Sequence, residues 1–309
     1  MNTALHVGIV VPAFFYVPYW SALENGWYAD AGLDIRFTVY GGIDPLTAAL
    51  KAAEVDIAIG SPEHVIHDVE AGGELRMIAG NVNRPTHSLI AQPEIKTLED
   101  LRGKTLGVSA LSGGTSSLFI DILERAGLKY PGDYAIVEAG VVPPRHERLL
   151  SREIDAAMQT DPHNYMAEDA GLSNLGPVAQ WIPYFQFNSV NTRASWARAN
   201  AEAVTAFLQA SIRASRWLFE NREASIDIAE KQMKIERRYL ERAWQDHTTD
   251  EALPSDLRLE RRSIETALRM MGRDRNVSLA GDARPEKYVD VSYLAQAQRR
   301  AGLAERTLG

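Results

Sequence analysis

Polar side chains follow a short apolar stretch near the first quarter of the chain. Ser61, Glu63 and His64 come directly after the predicted strand 56–59. A histidine with a pKa of about 6.5 can transfer protons or donate a hydrogen bond near neutral pH. These three side chains form a candidate ligand site, and His64 is the candidate for acid–base catalysis. The pattern equally fits a histidine that contacts ligand or water without taking part in chemistry.

A second candidate site combines glycines with hydroxyl side chains ahead of a predicted helix. Ser112, Gly113, Gly114 and Thr115 offer backbone N–H groups where the helix 116–126 is expected to begin. Free amides and the helix dipole both favour an anion at such a position. Good helix capping is the alternative role of the same residues. The segment lacks the Gly-Lys-Ser/Thr ending of a phosphate-binding P-loop.

Aromatic residues are concentrated in the segment 12–20, between the first strand and the first helix. Five of its nine residues are Phe, Tyr or Trp, where polar turn residues would be commoner. Phe14 and Tyr16 lie nearest the strand end, so we predict that they contact a ligand. Aromatic rings dominate cores as well as binding sites, so core packing is the alternative for each ring.

The remaining candidates lie in three segments, at residues 83–84, directly after the predicted strand 154–158, and at residues 184–185. Asp161 has helix capping as its default role, with Pro162 as the first helical residue. Arg84 suits bidentate pairing with a carboxylate, or else lies on the surface. The full set of these further ligand-binding candidates is Asn83, Arg84, Gln159, Asp161, His163, Tyr184 and Phe185.

Strand and helix patterns alternate along the first 160 residues and determine where these side chains lie. Predicted strands cover 5–11, 34–40, 56–59, 105–108, 134–138 and 154–158, and predicted helices cover 20–28, 44–53, 94–104, 116–126 and 144–150. This order predicts right-handed βαβ units and parallel sheets. Ligands bind at the carboxyl ends of the strands in such sheets. Long helices are predicted after residue 191.

Composition narrows the classes of partner. The 309 residues carry 41 acidic and 33 basic side chains, a net charge of -8, which disfavours nucleic acid as a partner. The absence of cysteine excludes disulfides and thiolate chemistry. No stretch reaches the roughly 20 apolar residues of a membrane-spanning helix. The N-terminus shows no signal peptide, so a periplasmic location requires that one was removed, and a cytoplasmic location is the alternative.

Four sequence motifs, which follow one another along the chain, resemble those of a known protein family. They are Gly-Trp-Tyr-Ala-Asp-Ala-Gly-Leu-Asp at 26–34, Val-Asp-Ile-Ala-Ile-Gly at 55–60, the segment 98–108, and Tyr-Val-Asp-Val-Ser-Tyr-Leu at 288–294. The chain resembles type II periplasmic solute-binding proteins, in the nitrate/sulfonate/taurine-binding and thiamine-pyrimidine-synthase-like group. The resemblance implies a two-lobed α/β fold with two crossover strands, a helical C-terminal segment and a ligand in the cleft. We predict lobe 1 at 1–90 plus 190–309 and lobe 2 at 91–189.

The resemblance implies a solute-binding protein that holds a small organic anion for ABC-type uptake. A carboxylate or sulfonate is expected, with the transporter permease as partner. The alternative is a cofactor-free lyase, decarboxylase or hydrolase that acts on an aromatic or heterocyclic acid through His64. A cytosolic ligand sensor is a third class. Synthase activity is not expected, because Gly60 stands where the synthases carry a lysine and their cysteine motif is missing. No cofactor or metal is predicted.

Overall fold

The structure is a computed structural model that describes residues 2–111, 113–249, 252–272, 279, 281 and 283–309. Its strands are β1 Thr3–Ile9, β2 Leu33–Val39, β3 Ile57–Gly60, β4 Leu75–Val82, β5 His87–Ala91, β6 Thr105–Val108, β7 Ala135–Glu138, β8 Ala156–Thr160, β9 Ser173–Pro177 and β10 Asn188–Arg193. Each of the six predicted strands matches one of these within about two residues.

Its helices alternate with the strands up to β10 and then follow one another. They are α1 Val17–Glu24, α2 Trp27–Asp30, α3 Ile43–Lys51, α4 Pro62–Glu70, α5 Gly114–Arg125, α6 Val142–Leu150, α7 His163–Asp169, α8 Ala194–Ala199, α9 Ala201–Glu220, α10 Arg222–Met233, α11 Arg237–Thr249, α12 Arg261–Met271, α13 Pro285–Tyr288 and α14 Ser292–Arg300.

The chain divides into two compact units. Unit 1 comprises Met1–Asn83 and Phe185–Gly309, and unit 2 comprises Arg84–Tyr184. The predicted division after residue 90 falls later than the observed one, because β5 pairs with β8 and β9 in the sheet of unit 2. The predicted return at 190 is also late, because β10 as a whole belongs to the sheet of unit 1.

Unit 1 contains a mixed five-stranded sheet in the order β2-β1-β3-β10-β4. Strands β1, β2 and β3 are parallel, and β10 runs antiparallel to both β3 and β4. The apolar first strand lies inside this sheet, between β2 and β3, where both faces are covered. Val7 and Ile9 are accordingly no more than 1 % exposed.

The long helix α9 covers part of this core with aromatic contacts. Tyr28 stacks on Phe207 with ring centroids 5.3 Å apart, and Tyr19 stacks on the same ring at 6.1 Å. Helix α14 packs on α9 in turn. The C-terminal helices therefore belong to unit 1.

Unit 2 also contains a mixed five-stranded sheet, in the order β7-β6-β8-β5-β9. Strands β6, β7 and β8 are parallel, and β5 runs antiparallel to β8 and β9. Helix α5 ends before Gly127, whose φ of 79° is the left-handed conformation expected of a glycine after a helix end. This α/β architecture of two mixed five-stranded sheets confirms the predicted fold class.

Three local predictions were wrong. The predicted helix 20–28 is two helices, because α1 ends at Glu24 and α2 begins at Trp27, with Gly26 in the left-handed conformation between them. The segment 94–104 forms only a 3-10 turn, Glu99–Leu101, because the Asp100 carboxylate accepts from the backbone N–H groups of Lys96 and Thr97 and holds a turn instead of a helix. Asp161 does not cap α7, since that helix begins at His163 with Pro162 in the N-cap position. Within the described residues, no helix has the length and apolarity needed to span a membrane.

Candidate functional site

The aromatic segment after β1 folds into the core of unit 1. Phe14 and Tyr16 lie in one 3-10 turn and are 0 % and 1 % exposed. The Phe14 ring lies 5.1 Å from the ring of His247, and the Tyr16 hydroxyl donates to Ile59 O at 3.1 Å. Burial raises the pKa of Tyr16 well above its usual range. Both rings take the core role that the sequence left open, and ligand contact by either stays a prediction.

Glu63 is a buried carboxyl in the first turn of α4, two residues after the N-cap Ser61. The side chain is 3 % exposed. The Ser61 hydroxyl donates to Oε2 of Glu63, whereas Oε1 has no hydrogen-bond partner among the described residues. Burial raises the pKa of Glu63 to about 7, against the opposing effects of Ser61 and its own backbone N–H. The structure thus brings two predicted site residues together and leaves one buried acceptor oxygen.

His64 is held against helix α3. Its Nδ1 lies 2.7 Å from Thr47 Oγ1, and its Nε2 lies 3.6 Å from Asp44 Oδ1. Burial lowers the pKa of His64, the charge of Asp44 raises it, and His67 lowers it again. The ring is therefore neutral at pH 7 with a polar neighbour at each nitrogen. Acid–base catalysis by His64 stays a prediction.

Asn83 uses its amide within unit 1. Its Nδ2 donates to Arg258 O at 2.9 Å, and its Oδ1 accepts from Gln186 Nε2 at 2.8 Å. Its backbone N–H donates to Ala252 O at 3.1 Å. These bonds fasten the segment 252–258 to the end of β4. Phe185, which precedes Gln186, is 1 % exposed in the same unit.

The start of α5 in unit 2 is organised by its own hydrogen bonds. Gly113 is the N-cap, the helix begins at Gly114, and the backbone N–H of Ser116 donates to Gly113 O at 3.0 Å. Thr115 is 5 % exposed, and its hydroxyl oxygen lies 3.1 Å from Ser109 Oγ. Ser112 lies outside the described residues. Anion binding at this helix start stays a prediction.

Gln159 is the predicted residue with the largest unmet hydrogen-bonding capacity. It lies on β8, opposite Ser88 of β5, and is 0 % exposed. Neither its Oε1 nor its Nε2 has a hydrogen-bond partner among the described residues. A buried polar group without a partner costs about 1–3 kcal/mol. Such a group in a native structure requires an explanation, and an absent ligand or water is a common one.

A buried arginine donates to the carbonyl of Met158, the residue before Gln159, and the sequence analysis missed this arginine. Arg145 of α6 is 1 % exposed, and its Nη2 donates to Met158 O at 2.7 Å and its Nη1 to Gly140 O at 3.0 Å. The Met158 carbonyl is available because β6 stops pairing with β8 at Ala157. Arg145 Nε has no hydrogen-bond partner within the described ranges of the chain, and burial lowers the pKa of Arg145 to about 10.

No carboxylate of the described residues forms an ion pair with Arg145, whose hydrogen-bond partners are both backbone carbonyls. A buried charge without a counter-ion is costly, and such charges are normally paired. Unit 2 therefore contains a guanidinium whose charge an anionic ligand would balance.

Histidines surround this guanidinium in their neutral form. The rings of His146 and His163 lie 5.5 Å apart. Burial, His146 and Arg145 together lower the pKa of His163 to about 4, and burial and Arg145 lower the pKa of His87 to about 3. Neutral histidines add hydrogen-bonding groups without adding charge. The described part of the chain contains no group of three or more His, Asp or Glu side chains placed to hold a metal ion.

The other candidates of unit 2 lie near its boundaries or beside Gln159. Arg84 Cζ lies 6.0 Å from the ring centroid of Tyr184, which is a cation–π geometry. Asp161 is 3 % exposed two residues after Gln159. Ligand contact by these three residues stays a prediction.

Arg145 and His146 could have been found from the sequence by one signal. They occur as an adjacent Arg-His pair in the first turns of a helix opened by prolines, directly after a predicted strand. A surface helix normally exposes such a pair, and only the tertiary structure shows that both side chains are at most 4 % exposed.

Residues 14–225, about two thirds of the chain, match the family described as NMT1/THI5 like. The chain belongs to the NMT1/THI5-like family. This family lies within the type II periplasmic binding protein superfamily, so the predicted resemblance is confirmed. A Brucella abortus (strain 2308) protein, provisionally named a binding protein, is 26 % identical over 250 residues, 78 % of this chain and 76 % of that protein.

Further similarities extend the comparison of this NMT1/THI5-like protein. The formylaminopyrimidine-binding protein of Halalkalibacterium halodurans is 22 % identical over 230 residues, which are 71 % of this chain and 66 % of that protein. The ligand-binding component of an ABC-type import system from Staphylococcus aureus superposes with a TM-score of 0.81 at 15 % identity, covering 96 % and 100 % of the chains. The alkanesulfonate-binding protein of Xanthomonas axonopodis pv. citri superposes with a TM-score of 0.73 at 15 % identity, and the match covers 96 % of this chain and 98 % of that one.

Proposed function

We propose that this NMT1/THI5-like protein is the solute-binding component of an ABC-type importer and that its solute is a small organic acid. Family membership and fold support the class of protein. The named relatives bind a formylaminopyrimidine or an alkanesulfonate, or serve an ABC-type import system. These ligands differ from one another, so the chemistry of the solute has to be argued from this chain's own side chains.

One observation carries the assignment of an acid. The guanidinium of Arg145 is buried in unit 2, and among the residues that the structure describes it donates to two backbone carbonyls while its Nε–H has no acceptor. A carboxylate or sulfonate would supply the missing negative charge, and charge-assisted hydrogen bonds are about twice as strong as neutral ones.

Gln159 would orient the acid that Arg145 binds. Its amide can donate to an oxygen of the acid through Nε2 and accept from a hydroxyl or N–H through Oε1. Specific placement of a few polar groups is how small-molecule sites achieve specificity. The predicted participation of both lobes in binding stays a prediction.

The substitution Gln159→Leu separates binding from folding. Since the Gln159 amide has no hydrogen-bond partner in the described part of the chain, leucine should leave the free energy of unfolding unchanged or raise it by about 1–3 kcal/mol. The same change should weaken the binding of an organic acid by roughly 10-fold, the loss of about one hydrogen bond. Gln180→Leu is the matched control, because Gln180 is exposed in the same unit.

The test measures thermal stabilisation and calorimetric affinity with a panel of aliphatic and aromatic carboxylates and sulfonates. Arg145→Gln should lose binding to every panel acid, whereas Arg148→Gln should keep it, since Arg148 lies on the same helix with its side chain 46 % exposed. A wild-type protein that binds no acid, or a Gln159→Leu variant that binds as tightly as wild type, would contradict the proposed function.

A further inference from the structure

The side chains of Gln159 and Arg145 lie on the same face of the sheet of unit 2. Gly107 of β6 pairs with Ala157 of β8, and paired residues of neighbouring strands share a face. Gln159 lies two residues after Ala157 on β8, so its side chain is on that face too. Arg145 packs on this face as well, because a Cβ added at Gly107 would lie 3.5 Å from Arg145 Cγ. The amide and the guanidinium therefore occupy the same layer, between the sheet and helix α6.

A second buried amide in this layer is occupied by the protein. Asn164 of α7 donates through Nδ2 to Oγ of Ser88, the residue that pairs with Gln159, at 3.3 Å. Its Oδ1 accepts from the backbone N–H of Tyr165 at 2.9 Å. The Gln159 amide is 0 % exposed, yet neither of its polar atoms has a partner anywhere in the described chain. Gln159 is thus the amide of this layer that is available to a ligand.

An available amide requires one hydrogen-bond acceptor and one donor, placed side by side. Its Nε2 donates and its Oε1 accepts, and an exchange of the two atoms leaves this requirement unchanged. A second amide group meets it when its own N–H and C=O lie on the same side. Primary amides, ureido groups and lactams have this arrangement, whereas an open-chain secondary amide is trans and holds the N–H and the C=O on opposite sides.

Two other partners compete with an amide. A single water molecule can donate to Oε1 and accept from Nε2 of Gln159. Alternatively, the nitrogen of the solute is an ammonium group attracted to Asp161, a buried carboxylate two residues after Gln159. The experiment below distinguishes all three.

We propose, on the basis of the proposed function, that the organic acid carries a neutral amide group and that Gln159 pairs with this group through its N–H and its C=O together. The chemical class comprises monoamides of dicarboxylic acids, ureido acids and lactam acids. Arg145 binds the acidic group that all of them share, and Gln159 determines specificity among the acids. Both residues lie in unit 2.

Matched pairs of acids test the inference by calorimetry. The pairs are succinamate against 4-methylpentanoate and 4-carbamoylbenzoate against 4-isopropylbenzoate, in which an isopropyl group replaces an amide of similar shape. We expect wild type to bind the amide of at least one pair 10-fold or more tightly than its partner, as a pair of hydrogen bonds provides. Gln159→Leu should reduce this ratio to about 2-fold or less, whereas the exposed control Gln180→Leu should retain it.

Two further acids separate the amide from its competitors. N-methylsuccinamate carries the same donor and acceptor in the trans arrangement, so it should bind at least 5-fold less tightly than succinamate. The amine 4-aminobutanoate should also bind less tightly than succinamate. Tighter binding of 4-aminobutanoate would overturn the inference in favour of an ammonium group near Asp161.

The remaining outcomes separate this inference from the proposed function. Equal affinities within both pairs for wild type overturn the pairing with Gln159 and leave a water as its partner, while the proposed function stands. A wild type that binds no member of either pair also overturns the inference, and failure of the broader acid panel as well overturns both proposals. Because the ratio within each pair is measured on wild type, the inference stays testable even if Gln159→Leu fails to fold.

Discussion

At the scale of single residues, buried polar side chains separate into those that hold the fold and those that remain available. The amide of Asn83 and the hydroxyl of Tyr16 are fully occupied by protein partners. Glu63, Arg145 and Gln159 each retain at least one buried atom that has no hydrogen-bond partner in the part of the chain that the structure describes. A native protein keeps a buried unpartnered group against a cost in stability, so these residues are the better candidates for ligand recognition.

The burial of the Glu63 carboxyl predicts that the free energy of unfolding depends on pH. Its folded pKa of about 7 lies above the usual glutamate value of 4.5, so the folded state holds the proton more tightly than the unfolded state. The resulting stability is fully present below pH 4.5 and is lost as the pH rises through 7, by about 3 kcal/mol in total. Glu63→Gln should remove this loss and be more stable relative to wild type at pH 8 than at pH 4.5.

Urea unfolding followed by tryptophan fluorescence at pH 4.5 and pH 8 measures this difference. Five of the six tryptophans lie in unit 1, with Glu63, and only Trp181 lies in unit 2. Glu54→Gln serves as the exposed control. If wild type and Glu63→Gln differ in unfolding free energy by the same amount at both pH values, the pKa of Glu63 is the usual one for a glutamate.

At the scale of elements, a glycine lets α6 deliver Arg145 to the sheet of unit 2. A Cβ added at Gly107 of β6 would lie 2.4 Å from Ile154 Cδ1, 3.0 Å from Ala139 Cβ and 3.5 Å from Arg145 Cγ. The absence of a side chain at Gly107 therefore creates the space over β6 in which the aliphatic part of Arg145 packs.

Gly107→Ala should displace α6 and lower the free energy of unfolding by about 1–3 kcal/mol, the usual effect of overpacking. It should also weaken acid binding, since the guanidinium no longer reaches Met158 O with the same geometry. Gly132→Ala is the matched control, because a Cβ there meets only Lys129 O at 3.8 Å. Unchanged stability and affinity in Gly107→Ala would mean that α6 adapts without moving Arg145.

At the scale of the whole molecule, the two units should respond oppositely to acid. Protonation of Glu63 stabilises unit 1 by about 2 kcal/mol between pH 7.5 and pH 5, and His64 of the same unit, whose pKa burial lowers, offsets part of this gain. Unit 2 contains His87 and His163, whose folded pKa values of about 3 and about 4 lie below the usual histidine value of 6.5. Their unfolded forms take up protons as the pH falls below 6.5, so each destabilises unit 2 by about 2 kcal/mol at pH 5.

Hydrogen exchange measured by mass spectrometry at pH 5 and pH 7.5, corrected for intrinsic exchange rates, checks this prediction unit by unit. Peptides from Arg84–Tyr184 should lose protection at pH 5, and peptides from the sheet of unit 1 should retain or gain it. The replacement His163→Asn should reduce the loss in unit 2. Parallel loss of protection in both units would contradict the opposite responses.

The sequence alone determined the order of strands and helices, the fold class and the family resemblance, because these depend on local periodicity and on phrases that are contiguous in the chain. It also placed Gln159 and Glu63 at strand ends, where parallel sheets bind ligands. Tertiary structure alone decided that β5 joins the second sheet, that Phe14 is core and that Arg145 is buried without a counter-ion. Strand pairing, burial and the satisfaction of polar atoms depend on contacts between residues far apart in sequence, and a single sequence does not encode these contacts in its spacing.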